Sequence, residues 1–362
     1  MGLGRLVRKS TRQLDSLIYR LRVAGPSQLW RDSKARLKEH FDGVPKGMQA
    51  HVLGDPRAKL SLLYVHSGWA IYNVGRLWFS EVPGVKCTMV TTEEFMADPK
   101  IQAGHSAIIF GYTSLALASD SVPRTIPEWI CVHDPCELFQ DVPQWRTLEA
   151  NPKLIERLKK SAKVICISRE VQCVLRDAGV ESELIPTTSQ IPIVSVDQLK
   201  KEQGDRISAT TVGRIYPRKR FEWFWKIRSK ARSKGIPIHF RAKLNRAPLS
   251  ESAYIEFLDR ASIYLVTSYQ EGGPLPAMDA MRRGLVVLST PVGQMVEILQ
   301  DGKNGFLCET PEDFVERLSM LARDPELLRS MRLASHESIQ RMRSRDVIDS
   351  AVQRALGLPQ PA

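Results

Sequence analysis

Three consecutive stretches decide the fold: Ser262-Ile-Tyr-Leu-Val266, then Glu271-Gly-Gly-Pro-Leu-Pro-Ala-Met-Asp279-Ala-Met281, then Gly284-Leu-Val-Val-Leu288. The outer two hold short apolar runs of strand character, and the middle one carries a glycine turn followed by a helix. Strand, turn, helix and strand in that order make a parallel crossover unit. Glu271 then falls in the turn beyond the C-terminal end of a strand, where open α/β sheets bind ligands. Pro276 suits the first helical position, and the amides of that first turn offer an anion site. Asp279 lies about one turn further along the helix.

The same alternation runs through the chain. Apolar runs at Leu60–Val65, Val85–Val90, Ala107–Phe110, Trp129–Val132 and Val164–Ile167 form one series. A second comprises Ile207–Val212, Ile238–Ala242, Ile263–Val266, Leu285–Leu288 and Phe306–Cys308. Between them lies Ser195 to Asp205, polar and poor in strand formers, which we read as the domain boundary. The expected class is α/β with two Rossmann-like, doubly wound domains. The divisions are a basic leader at 1–55, a first domain at 56–195, a second at 206–340, and a C-terminal helix and tail at 341–362. Helix starts are marked at Thr310-Pro-Glu-Asp313 and Asp324-Pro-Glu-Leu327, each an N-cap followed by proline.

Composition narrows the function classes. In 362 residues, 43% hydrophobic and 25% charged, nothing suggests disorder or a fibre. The longest apolar runs fall far short of the roughly 18 residues a membrane span needs. With no signal-peptide core at the N-terminus, the expected location is the cytoplasm. Six cysteines without a Cys-x-x-Cys pair read as reduced thiols, mostly buried. Residues 1–40 carry ten Lys and Arg against three Asp and Glu, more than half of the net charge of +12. Wound as a helix, residues 3–22 place Leu3, Leu6, Val7, Leu14, Leu17, Ile18 and Leu21 on one side and the cations opposite. Such a helix lies on an anionic membrane surface or docks on its own domain.

The second candidate motif is Thr211-Val-Gly213-Arg214-Ile-Tyr-Pro-Arg218-Lys219-Arg220. A strand ending in Gly213 admits close backbone approach, and Arg214 with Lys219 can bracket a diphosphate. By itself the segment also reads as a solvated basic loop. Phe221, Phe224 and Trp225 stand at helical spacing and read as a core stripe rather than a nucleic-acid stacking surface. We therefore expect no nucleic-acid partner.

With these residues in hand, the second half resembles the nucleotide-binding domain of the family 4 retaining glycosyltransferases, group 1 type, which have the GT-B fold. That family carries a strand ending in Gly-Arg with a Lys five residues beyond the Arg, as Gly213, Arg214 and Lys219 do here. It also carries Glu-x7-Glu within Glu-Gly-x-x-x-Pro-x-x-Glu-Ala-Met. Glu271, Gly272, Pro276, Ala280 and Met281 fit, with Asp279 in place of the second Glu. The block from Ser289 to Leu307 resembles the family's closing segment, with Gln294 where a second glycine is frequent.

The resemblance implies a nucleotide diphosphate sugar as donor, a glycan or lipid-linked acceptor, a cleft between the two domains, and neither cofactor nor metal. Arg214 and Lys219 would neutralise the leaving diphosphate. Glu271 would hold sugar hydroxyls, and Asp279 the ribose. Gly213, Gly272, Gly273 and Leu275 would shape the donor site. In the first half, Tyr64-Val-His66-Ser67-Gly68 resembles the family's glycine loop facing the donor phosphates. Cys131-Val-His133-Asp134 resembles its His-Asp pair, so that His133 would face the donor sugar or the acceptor. The implied activity is retaining hexosyl transfer in cell-envelope polysaccharide synthesis. The rival is a non-catalytic sugar-nucleotide or glycan-binding module on the same fold, with Asp279 as a sign of decay.

If residues 1–22 bind the inner face of the cytoplasmic membrane, their deletion is expected to reduce sedimentation with anionic vesicles. A deletion that binds vesicles as before places the helix elsewhere.

Overall fold

The structure, a computed structural model, describes residues 51–138, 151–201, 207–244 and 249–359. Residues 1–50, with the basic helix expected at 1–22, lie outside the described residues. Among the described residues the chain divides into two compact units. The first contains the chain up to Thr188, with Glu271–Gly273 and the segment from Arg343 onward; the second contains Ser189–Gln270 and Pro274–Met342.

The first unit is built on the strands β1 (His51–Gly54), β2 (Leu60–His66), β3 (Val85–Thr91), β4 (Ala107–Phe110), β5 (Glu128–Val132), β6 (Lys163–Cys166) and β7 (Glu183–Leu184). They form one sheet in the order β1-β3-β2-β4-β5-β6-β7, parallel throughout except that β1 runs antiparallel to β3. Both faces are covered, so the central strands read as continuous apolar runs rather than alternating ones. Leu62, Tyr64, Cys87, Met89 and Ile109 enter one core cluster, while Leu63, Val65, Val90, Ile108 and Phe110 enter another.

The second unit carries β8 (Ser208–Gly213), β9 (His239–Leu244), β10 (Ile263–Val266), β11 (Val286–Ser289) and β12 (Gly305–Leu307), all parallel, in the order β12-β11-β10-β8-β9. From β8 the chain moves outward to β9 and then back past β8 to β10. The strand order therefore reverses between β8 and β10, and ligands of such sheets sit beyond the strand ends at that point. The corresponding reversal in the first unit lies between β2 and β4. Phe221 and Phe224 are buried as the core stripe required, and Trp225 is partly buried beside them.

Three expectations are corrected. The polar stretch from Ser195 is no open linker: it contains the helix Val196–Lys201, and the units divide between Thr188 and Ser189. Ser195, Asp197 and Gln198 are exposed, while Leu199 is buried against Gly284. A Cβ at Gly284 would meet the Leu199 side chain at 2.2 Å, and its φ of +71° is one that glycine adopts without strain. The segment from 341 contains the expected helix, but it does not stand apart. Its helix Arg345–Leu356 rejoins the first unit, where Ile348, Ala351, Val352 and Ala355 share a core cluster with Tyr72, Val74 and Trp78. Arg345 fixes the entry by donating to the Leu77 carbonyl at 2.8 Å. Finally, the helix after the glycine turn spans Leu275–Arg282, which puts Pro276 at its second position.

Ile348→Ala is expected to cost about 2–5 kcal/mol, the usual range for a truncated core aliphatic. Urea titration checks it, with a chain ending at Met342 expected to lose more.

Candidate functional site

The loops beyond β8 and β10 flank the reversal of the second sheet, and they are bound together. After Gly213, whose position leaves only 3.0 Å between a Cβ and the Phe221 ring, Ile215 is fully buried and Arg214 points to solvent. Pro217–Lys219 makes a 3-10 turn, and Arg220 follows with φ +44°. A left-handed conformation at a residue with a side chain costs roughly 1–2 kcal/mol. Its compensation is visible. The Arg220 guanidinium donates to the carbonyls of Thr267 at 2.9 Å and Ser268 at 3.0 Å, and stacks on Trp223 at 3.8 Å. Arg218 donates to the Gln270 carbonyl at 3.0 Å, the Tyr269 amide donates to the Arg218 carbonyl at 3.0 Å, and the Thr267 hydroxyl donates to the Lys219 carbonyl at 2.9 Å. The backbone at Lys219 is thereby held in register with the segment leading to Glu271, whose side chain is buried.

Asp279 sits half-buried on the helix Leu275–Arg282, and no side chain caps the N-terminus of that helix beside Gly273 and Leu275. The Tyr254 hydroxyl donates to Asp279 Oδ2 at 2.8 Å, and Ser189 also bonds the carboxylate. Burial raises the Asp279 carboxyl to about 6, against the lowering effect of those two hydroxyls and of Arg282.

In the first unit, Ser67 and Gly68 follow β2, and Gly68 opens the helix Gly68–Phe79 without a side-chain cap at Ser67. The first-turn amides of a helix have no intrahelical partner, and left uncapped they suit an anion. His133 follows β5 with its ring 6.2 Å from Trp78 and 5.8 Å from Tyr112, near parallel to both. Desolvation lowers its pKa to about 4, so the imidazole is neutral at physiological pH. One ring nitrogen bonds the Gly111 carbonyl, and Nε2, buried, has no partner. A neutral ring with an unused lone pair accepts a hydrogen bond from a hydroxyl; it does not supply a proton at pH 7.

Gly272 comes against this His-Asp segment. Its amide donates to Asp134 Oδ1 at 2.6 Å, and a Cβ there would lie 1.4 Å from the His133 carbonyl oxygen. The glycine is demanded by backbone approach, which the motif alone assigned to the donor. The segment itself hangs on Glu137, which sequence reasoning missed. Its carboxylate accepts from the amides of His133 at 2.6 Å and Asp134 at 2.8 Å, and from the Thr113 hydroxyl at 2.7 Å. Burial, with the Asp134 charge, pushes this carboxyl up to about 8. The signal was present, since Asp134-Pro-Cys-Glu137 has the spacing of a capping box. Ser168 is an N-cap, accepting from the Val171 amide. Cys173 is exposed, a departure from the expected buried thiols that Cys87, Cys131, Cys166 and Cys308 follow. No helix among the described residues is long and apolar enough to cross a membrane.

Gly272→Ala is expected to break the Asp134 contact, and deuterium exchange should then rise together in the 131–138 and 268–278 peptides. A rise in only one would show the two backbones to be independent.

Residues 193–337 match the family described as glycosyl transferases group 1, which bears out the resemblance read from the motifs. Over 88 residues the chain is 30% identical to D-inositol 3-phosphate glycosyltransferase of Streptomyces bingchenggensis, covering 24% of this chain and 19% of that protein. The chain spans about a quarter or less of the curated relatives it matches. Among solved structures, TarM of S. aureus, in complex with fondaparinux, alpha-GlcNAc-glycerol and UDP, is similar at TM-score 0.58 and 15% identity, over 69% of this chain and 55% of TarM. HepE of Anabaena, in complex with UDP-glucose, is similar at TM-score 0.59 and 12% identity, over 82% of this chain and 99% of HepE. These likenesses show the fold, two Rossmann-like units of the GT-B class.

Proposed function

We propose that this chain, a group 1 glycosyltransferase by its residues 193–337, transfers a hexose from a nucleotide diphosphate sugar to a glycan or lipid-linked acceptor with retention of configuration. The observation that carries the reading is the bonded pair of loops at the sheet reversal, which fixes Lys219 and the approach to Glu271 together. Lys219 and Arg214 neutralise the charge that develops on the departing diphosphate, a stabilisation that needs no metal. The uncapped amides beside Gly273 and Leu275 add to it, and in the first unit the uncapped helix start at Gly68 offers amides of the same anion-binding kind. Glu271 accepts from two sugar hydroxyls, and Asp279 from the ribose. His133 accepts a further hydroxyl at Nε2. The acceptor oxygen attacks the anomeric carbon from the face the diphosphate leaves, the carbon–phosphate oxygen bond breaks, and the leaving phosphate oxygen takes the acceptor proton.

TarM and HepE are bound to UDP and UDP-glucose in those structures, and TarM to a glycerol-linked sugar. They support a nucleotide-sugar donor and, by analogy, a role in envelope polysaccharide synthesis. Work at the inner face of the cytoplasmic membrane, through residues 1–22, belongs to the same proposal.

The test is hydrolysis of UDP-, GDP-, ADP- and dTDP-hexoses without acceptor. One donor is expected to turn over slowly, and Glu271→Gln to abolish turnover with the melting temperature unchanged. Arg214→Ala with Lys219→Ala should weaken the nucleoside diphosphate far more than the nucleoside. Full activity in Glu271→Gln, or equal losses for the two ligands, overturns the site.

A further inference from the structure

Asp279 reaches one methylene less than the glutamate of the related motif, and the structure surrounds it with partners that no sequence pattern marks. Tyr254, on the helix Glu251–Asp259, lies 25 residues earlier, yet its hydroxyl meets Asp279 Oδ2 at 2.8 Å. Ser189, at the start of the second unit, bonds the same carboxylate while its hydroxyl also accepts from the Ile191 amide at 3.2 Å. An ionised carboxylate accepts about four hydrogen bonds. Two are supplied from within, by Tyr254 and Ser189, and the remaining capacity matches the two hydroxyls of a vicinal diol.

We propose that Tyr254 is a positioning residue which, with Ser189, fixes the Asp279 carboxylate to read the 2′,3′-diol of a nucleoside diphosphate. This rests on the donor-site reading above and deepens it. The tyrosine is suited to the task. Its pKa is raised well above 10, first by burial and then by the Asp279 charge, so it remains a donor throughout the neutral range in which the carboxylate is ionised. Without it, Asp279 would turn about its side-chain bonds, and its missing methylene would become a matter of aim as well as of reach.

The groups facing Asp279 are Ser189, Tyr254, Arg282 and Glu251; the first three favour its ionised form, and Glu251 opposes it. Ribose readout should therefore be lost as pH falls through about 6, where the buried carboxyl takes up its proton. Removing the tyrosine hydroxyl takes away a bond that favours ionisation, so this loss should move to higher pH.

The experiment is calorimetric titration of UDP and 2′-deoxy-UDP into the full chain, its Tyr254→Phe variant and its Asp279→Asn variant, from pH 5.5 to 8. GDP with 2′-deoxy-GDP and ADP with 2′-deoxy-ADP are run alongside. The ratio of ribo to deoxy affinity cancels the titration of the diphosphate itself. Tyr254→Phe is expected to weaken the ribonucleotide about tenfold, the size of one charge-assisted hydrogen bond, and the deoxy form by far less. The pH midpoint of the ratio should rise in the same variant, with melting unchanged. If no nucleotide binds the unaltered chain, or Asp279→Asn keeps the full ratio, the donor-site reading falls and the inference with it. If Asp279→Asn removes the ratio and Tyr254→Phe leaves both ratio and midpoint as they were, the inference alone is overturned.

Discussion

Two arginines turned inward hold the functional end of the second unit together. Arg218 and Arg220 direct their guanidinium groups at main-chain carbonyls of residues 267–270, although a basic loop of this composition is ordinarily a solvated one. Loops beyond strand ends are mobile by default because few contacts order them. Here a side chain from one loop replaces the missing backbone ladder of the other. The left-handed backbone at Arg220 is the cost of pointing that side chain correctly, and three favourable contacts offset it. Arg214, exposed beside them, is the cation of the loop that faces solvent.

A second constraint acts in the first unit, and it is steric. Only a glycine lets the 271–273 turn lie against the His133 carbonyl, and Asp134 then receives the Gly272 amide. Glu137 holds both residues from behind by their amides. The position of the turn thus depends on a buried carboxylate that need not meet a substrate. Such supporting groups decide how closely a site keeps its geometry.

The strands were legible because both faces of each sheet are covered, so burial leaves apolar runs that need no periodicity to be seen. Those readings fell within two residues of the strands observed from Leu60 to Leu307. The short edge strands β1 and β7 left no such mark, one in a stretch bearing glycine and proline and the other only two residues long. Arg214, Lys219 and Glu271 were legible because each belongs to a short motif, Gly213 to Lys219 or Glu271 to Asp279, whose spacing is read along the chain. Tyr254 and the paired arginines were not, since their partners lie about 25 to 50 residues away and chain spacing carries no trace of such contacts. The misplaced boundary at 195–205 has the same origin. A short helix with one buried leucine among mostly polar residues looks like a linker until its packing partner, Gly284, is known.

Asp279 shows how a departure from a motif can be consistent with the fold around it. An aspartate has one fewer rotatable bond than a glutamate, so less side-chain entropy opposes fixing it. What it lacks in reach it gains in direction once the hydroxyls of Tyr254 and Ser189 hold the carboxylate. Burial works against the ionised form, and the same hydroxyls with Arg282 work for it, which leaves the carboxyl poised near 6. A carboxylate that had merely lost its partner through drift would carry the desolvation without the compensating donors, since an unsatisfied buried charge is among the costliest features a fold can retain. The compensation at Asp279 therefore argues for a carboxylate kept ionised near neutral pH and aimed, the two properties needed to accept hydrogen bonds from a sugar.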